Sequence, residues 1–300
     1  MKICQNTKFK SQSVNSIVNL LILFSNMKNF IIPAILFLSL CLPFNIHSQP
    51  GVKKDSLINY GENSRDGRFI RTRGFEMYFE VYGNGEPLLL IHGNGGSISS
   101  MANQIPYFSE SYQVIAADSR SQGKSADPAD SLSYEMMADD YSALLDALHL
   151  DSAFVVGWSD GGIIGLLLAI RHPDKVKKLA VTGANIRPDT TAVMAADIQS
   201  MKDQVARLQK QKQDPKTRNE IKLTRLMIDE PNISRYSLQQ IHCPVLVIGG
   251  DHDIIKTEHT LEIYRSIPGA NLWILPGSGH DTCIRFKDDF NMQVGRFFNK

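Results

Sequence analysis

Net charge is nearly absent from this chain: 32 lysines and arginines face 31 aspartates and glutamates, a formal balance of +1. That excludes the broad basic surface by which proteins hold nucleic acid or an anionic membrane, and neither is expected as a partner. Cysteine is scarce, four in 300 residues, too few for a disulfide-built scaffold. The eight histidines are scattered, without the close Cys/His spacing of a metal site, so no metal is expected. No phosphate-binding glycine loop and no dinucleotide fingerprint occurs, so no cofactor is expected either. Internal repeats and low-complexity tracts are missing too. What remains is an ordinary globular composition, 43% hydrophobic and 21% charged, enough for one large α/β domain or two small ones.

The N-terminus reads as an address rather than as fold. Met27-Lys28-Asn29 is a short basic start, an apolar run follows over residues 30–44, and polar Asn45-Ile46-His47-Ser48 ends it. A basic start, a short apolar run and a small exit residue such as Ser48 are the pattern of a secretory signal peptide. The run is shorter than the roughly 20 residues needed to span a bilayer, which argues against a stable span after cleavage, though an uncleaved anchor is the alternative. Residues 1–48 are therefore expected to be a leader whose working start is Met27, giving a secreted or periplasmic protein. Residues 49–67 are expected to be a linker, and 68–300 the domain. Without the leader the chain has 28 basic and 31 acidic residues, net −3, and keeps only Cys243 and Cys283. These should lie at opposite ends of strand-length segments, about 20 Å apart. A disulfide needs Cα atoms within about 7 Å, so pairing is not expected.

From residue 68 onward, short apolar runs alternate with amphipathic stretches. Residues 76–82 alternate like a half-exposed strand. Runs at 88–91, 114–117, 154–156, 179–182 and 245–248 are of the kind buried on both faces of a parallel sheet. Helical stretches fall near 98–106, 133–149, 160–172 and 256–267, with a last strand at 272–275 and a last helix at 286–298. This alternation predicts a mostly parallel, doubly wound sheet with helices on both faces. Between about 188 and 239 there is no strand signal. Met194, Ile198, Met201, Val205 and Leu208 recur there at helical spacing, which suggests a helical cap over the strand C-termini. Eight basic against three acidic residues between Lys202 and Arg225 read as a solvated helix face.

The strongest chemical signal is Val156-Gly157-Trp158-Ser159-Asp160-Gly161-Gly162, with an apolar strand before it and a helix after. A serine on a sharp strand-to-helix turn needs glycines where the chain passes close, and the turn lifts its hydroxyl above the helix N-terminus. Such a hydroxyl needs a base, and the base needs a carboxylate to orient it. Two later strands run into Gly249-Gly250-Asp251-His252-Asp253 and Pro276-Gly277-Ser278-Gly279-His280, loops where doubly wound sheets place active sites. The candidate catalytic set is Ser159, Asp253 and His280, with Asp251 the alternative carboxylate and His252 facing solvent. Backbone N–H groups of Asp160 and Asn94 are the candidate oxyanion donors, Asn94 lying in His92-Gly93-Asn94-Gly95-Gly96-Ser97 after the 88–91 strand.

On these motifs, from about residue 70 to the end, the chain resembles the α/β-hydrolase superfamily. Asp118-Ser119-Arg120-Ser121-Gln122-Gly123-Lys124-Ser125 is similar to that family's Asp-x-Arg-Gly-x-Gly-x-Ser, with Ser121 in place of a glycine. Gly157-Trp158-Ser159-Asp160-Gly161-Gly162, followed later by Gly183-Ala184-Asn185, resembles the valacyclovirase or biphenyl-hydrolase-like branch. The resemblance implies an α/β-hydrolase fold with a small helical cap and hydrolysis of a small carboxylic ester through an acyl-enzyme. It further implies that Asp160 recognises a substrate ammonium group, Asp160 and Trp158 being the candidate substrate-binding residues. The same machinery can cleave amides, transfer acyl groups or split carbon–carbon bonds. Some members of the fold serve as ligand receptors, which is the alternative of a different class. Ser159 counts against dehalogenation, which uses an aspartate nucleophile.

Overall fold

The computed structural model describes residues 58–300; the leader expected over residues 1–48, its start at Met27 and the first half of the 49–67 linker lie outside the described residues. Eight strands form one sheet in the order β1-β2-β4-β3-β5-β6-β7-β8. They are β1 Gly67–Thr72, β2 Phe75–Tyr82, β3 Glu86–Ile91, β4 Tyr112–Ala117, β5 Ala153–Trp158, β6 Val176–Thr182, β7 Val245–Gly250 and β8 Asn271–Leu275. The β1–β2 and β2–β4 pairings are antiparallel, and every other pairing is parallel.

The apolar runs form strands because successive side chains point to opposite faces, and both faces are covered. Leu89 and Ile91 of β3, Val155 of β5 and Val247 of β7 face one side. Leu88, Leu90, Phe154, Val156, Leu246 and Ile248 face the other. The first layer packs against α2 (Tyr134–Ala147), α3 (Asp160–Arg171) and α7 (Thr257–Ser266), and the second against α1 (Ile105–Phe108), the single turn α8 (Thr282–Arg285) and α9 (Lys287–Phe298). Leu89 is wholly buried, so its truncation to alanine should cost about 2–5 kcal/mol. Helix α2 starts where Ser133 accepts from the N–H of Met136 at 3.1 Å, satisfying one free donor of the first turn.

Two features depart from the sequence expectations. Strand β1 carries no clear apolar alternation, because it is an edge strand with only Thr72 buried. The end of the expected linker is also fastened to the domain. Glu80 of β2, fully buried, accepts from the N–H groups of Gly61 at 2.8 Å and Asn63 at 3.0 Å and from the hydroxyls of Tyr78 and Tyr82, both at 2.7 Å. Four donors satisfy a carboxylate that would otherwise be costly to bury.

Between β6 and β7 the chain leaves the sheet for α4 (Ala195–Gln209), α5 (Pro215–Asp229) and the single turn α6 (Arg235–Leu238). Asp214 caps α5 by accepting from Thr217 N at 2.9 Å, with Pro215 at the first helical position. Ile198, Val205 and Leu208 of the expected stripe are buried, whereas Met194 precedes the first turn of α4 and is 45% exposed. Of the eight basic residues in this region only Lys222 is not exposed; its ammonium donates to Ala129 O at 2.6 Å. Asn219 of α5 donates to Ser121 O at 2.7 Å in the loop after β4. The helical pair thus covers loops at the C-terminal ends of the strands.

Candidate active site

Strand β5 ends at Trp158, and Ser159 turns the chain into α3 with φ 57° and ψ −122°. A side chain at this φ is strained, and the surrounding packing holds it there. The turn is possible because a Cβ at Gly157 would lie 2.1 Å from Gly161 O, and one at Gly161 would lie 2.1 Å from Ile91 O. Ser159 N donates to Thr182 O of β6 at 2.8 Å, which fixes the turn to the neighbouring strand.

The loop after β8 brings His280 over this serine. His280 Nε2 lies 2.8 Å from Ser159 Oγ, and His280 Nδ1 lies 2.7 Å from Asp253 Oδ1. The Asp253 side chain is 1% exposed and that of His280 23%, so the carboxylate is shielded while the imidazole stays reachable. Asp253 Oδ1 also accepts from Ile255 N at 3.0 Å. Asp251, the alternative carboxylate, points away and bonds His252 Nδ1 at 2.7 Å and Ser278 N at 3.2 Å. The His252 side chain is 75% exposed. The indole N–H of Trp158 donates to His280 O at 2.8 Å, so its polar edge is committed to the backbone of the imidazole loop. Cys243 and Cys283 are both free thiols.

The loop after β3 passes against the serine: a Cβ at Gly93 would lie 3.1 Å from Ser159 Cβ. Among the described residues neither Asn94 N nor Asp160 N donates to a protein acceptor, as befits groups free to hold an oxyanion. Two residues not singled out from the sequence shape this loop. His92, 1% exposed, bonds Gly93 O through Nδ1 at 2.7 Å and accepts from Ser119 N through Nε2 at 2.9 Å. Burial pushes its pKa down to about 4, so it is a neutral strut. Gln122 Oε1 accepts from Gly95 N at 2.6 Å. Ser121, standing where the resemblance expects glycine, adopts φ 66° with its hydroxyl buried and unpartnered.

Asp160 opens α3 with its side chain 3% exposed. Its Oδ2 accepts from Asn94 Nδ2 at 2.8 Å, and the Tyr134 hydroxyl lies near this carboxylate. Burial raises its pKa to about 6, opposed by Asn94, Tyr134 and nearby His280. This buried carboxyl group lies one residue from the nucleophile candidate. The 770 Å³ cavity beside α5 lies elsewhere, between that helix and the 127–132 loop, and Ser159 is not part of its wall.

Residues 86–224 match the model of the alpha/beta hydrolase fold family. The chain is 30% identical over 264 residues to a "Putative carbamate hydrolase RutD" of Caulobacter sp. (strain K31), covering 74% of this chain and 96% of that protein. The chain belongs to the alpha/beta hydrolase family. It is 27% identical over 260 residues to "Serine hydrolase BPHL" of Mus musculus, covering 76% of this chain and 84% of that one, in keeping with the branch resemblance carried by residues 157–162. A hydrolase from Pseudomonas aeruginosa PA01 shares the fold with a TM-score of 0.69 at 21% identity, over 79% of this chain and 100% of that chain. This α/β hydrolase is an enzyme.

Proposed function

We propose that this α/β hydrolase cleaves a small carboxylic ester through an acyl-enzyme intermediate. The observation that carries the reading is the unbroken line from Asp253 through His280 to Ser159, with contacts of 2.7 and 2.8 Å. Ser159 Oγ attacks the ester carbonyl while His280 Nε2 takes its proton, and Asp253 stabilises the imidazolium. The N–H groups of Asn94 and Asp160 hold the negative oxygen, each donor contributing on the order of 10²–10³ in rate. The tetrahedral species collapses as His280 returns its proton to the departing alcohol. Water, deprotonated by His280, then attacks the acyl group, and His280 passes that proton to Ser159 Oγ as the acid leaves. Turnover of short-chain p-nitrophenyl esters tests this. A panel of esters and amides, with and without acyl acceptors, separates ester hydrolysis from amide cleavage and acyl transfer on the same residues.

The buried Asp160 carboxylate beside Ser159 supports a finer reading, in which the ester carries an amino group. A cationic substrate would meet a shielded negative charge where attraction is strong. Comparing an α-amino ester with its des-amino analogue, in wild type and Asp160→Ala, tests it; equal preference in both proteins would sink it. Trp158 supports the site by holding the imidazole loop. We further propose export by the leader, with cleavage after Ser48; N-terminal sequencing of the exported protein should then begin at Gln49.

A further inference from the structure

Asn94 stands where three elements meet. Its backbone lies in the loop after β3, while its side-chain amide donates to Asp160 Oδ2 in α3 at 2.8 Å and to Leu223 O in the cap helix α5 at 3.2 Å. A carboxamide has two N–H donors, and here both are used. Leu223 O lies in mid-helix and accepts through the second lone pair that a carbonyl oxygen carries. The bond to Asp160 is charge-assisted when that group is ionised, and so is the stronger of the two.

The groups facing the Asp160 carboxylate come from separate elements: Asn94 from the oxyanion loop, the Tyr134 hydroxyl from α2, and His280 from the loop after β8. Glu230, just past α5, accepts from Tyr134 N at 3.1 Å and adds a second negative charge behind the tyrosine. Tyr134 meets the cap through its backbone N–H and the Glu230 side chain, whereas the Asn94 side chain bonds both the Asp160 carboxylate and the backbone of α5 itself.

We propose that the Asn94 side chain is a positioning residue that holds Asp160 as a carboxylate and latches cap helix α5 onto the oxyanion loop. The two roles are linked. Protonating Asp160 weakens its bond to the amide, and an amide held at one end only grips Leu223 less firmly. By reciprocity, loosening the cap makes Asp160 easier to protonate. The site then presents its negative charge most strongly when the cap is seated.

The consequence for substrate choice rests on the acyl-enzyme reading with an amino-bearing ester, but the test does not use turnover. The Asp160 side-chain carbon is followed by ¹³C NMR against pH, with Asp160→Asn assigning the signal, and amide hydrogen exchange of α5 is measured at neutral pH. In Asn94→Ala, which keeps the backbone N–H, the Asp160 midpoint should rise by about one pH unit, a tenfold gain in proton affinity. Exchange in α5 should quicken by about tenfold. Asn94→Ser, with a single donor, should fall between wild type and alanine, and it replaces the alanine variant if that one does not fold. An unmoved midpoint, or unchanged exchange in α5, overturns the proposal. A shifted midpoint in a protein that hydrolyses no ester defeats the acyl-enzyme reading and leaves this one standing.

Discussion

The indole of Trp158 donates a 2.8 Å hydrogen bond to the carbonyl of His280, so the residue before Ser159 steadies the backbone of the proposed base. Strand β5 thereby braces the loop after β8, across a sequence separation of 122 residues. The Trp158→Phe variant keeps a large ring and removes the donor. It should lose about 1 kcal/mol of stability, the worth of one hydrogen bond. Its kcat should fall about tenfold with little change in KM, because a looser imidazole is misplaced for proton transfer rather than for binding. Steady-state kinetics with a neutral ester, alongside denaturant melts, checks both.

The two aspartates of the loop after β7 should separate cleanly. Asp253→Asn leaves a neutral amide beside His280 Nδ1 and should lower kcat on the order of 10⁴-fold, with the fold intact. Asp251→Asn should change kcat by less than about threefold, since that side chain bonds His252 and Ser278 N rather than His280. Parallel kinetics on the two variants decides which carboxylate serves the base.

Ser121 pairs a left-handed φ of 66° with a buried, unpartnered hydroxyl. Glycine adopts that conformation without strain and removes the orphan group. Ser121→Gly should therefore raise the unfolding free energy by about 1 kcal/mol, less a fraction for the greater freedom of glycine in the unfolded chain. A lower denaturation midpoint in the variant would mean that the hydroxyl has a partner in solution.

Asp160 links stability to pH with a defined sign. Its folded pKa is raised to about 6 from 3.8, so its stabilising contribution is full below about pH 4 and is lost as pH rises through 6. Asp160→Asn has no such term. Its stability relative to wild type should climb between pH 4 and 6 by on the order of 3 kcal/mol and level off above. Urea melts of both proteins across this range measure it. A difference that stays flat from pH 4 to 7 would place the Asp160 pKa at its ordinary value.

Much of this was readable in the sequence, for a physical reason. Strands buried on both faces must be continuous apolar runs, so β3 through β7 and the loops at their ends stood out, and the half-exposed edge strand β8 still carried the short apolar run 272–275. Ser159, Asp253 and His280 each follow such a run, and the structure brings them within hydrogen-bond contact. Other features could not be read. Glu80 looks like any strand glutamate, because its partners are two backbone amides and two hydroxyls that only the folded chain collects. Asn94 and Leu223 are 129 residues apart, and a bond to a main-chain carbonyl leaves no trace in residue type. His92 was visible, but nothing in one sequence separates a buried strut from a solvated histidine. The cap was recognised by its helical spacing and by the lack of strands. Its docking through Asn219 and Lys222 again runs to carbonyl oxygens.

Covalent capture reports on whether Ser159 is a nucleophile activated by His280. The purified protein is incubated with a fluorophosphonate, digested and mapped by mass spectrometry, with Ser159→Ala and His280→Ala alongside. One adduct is expected, on Ser159, formed rapidly in wild type, at least a hundredfold more slowly in His280→Ala and not at all in Ser159→Ala. The same preparation should turn over a generic ester many times. A folded wild-type protein that leaves Ser159 unlabelled, or labels it once without ester turnover, would rule out an acyl-enzyme hydrolase, the second result pointing instead to a ligand receptor.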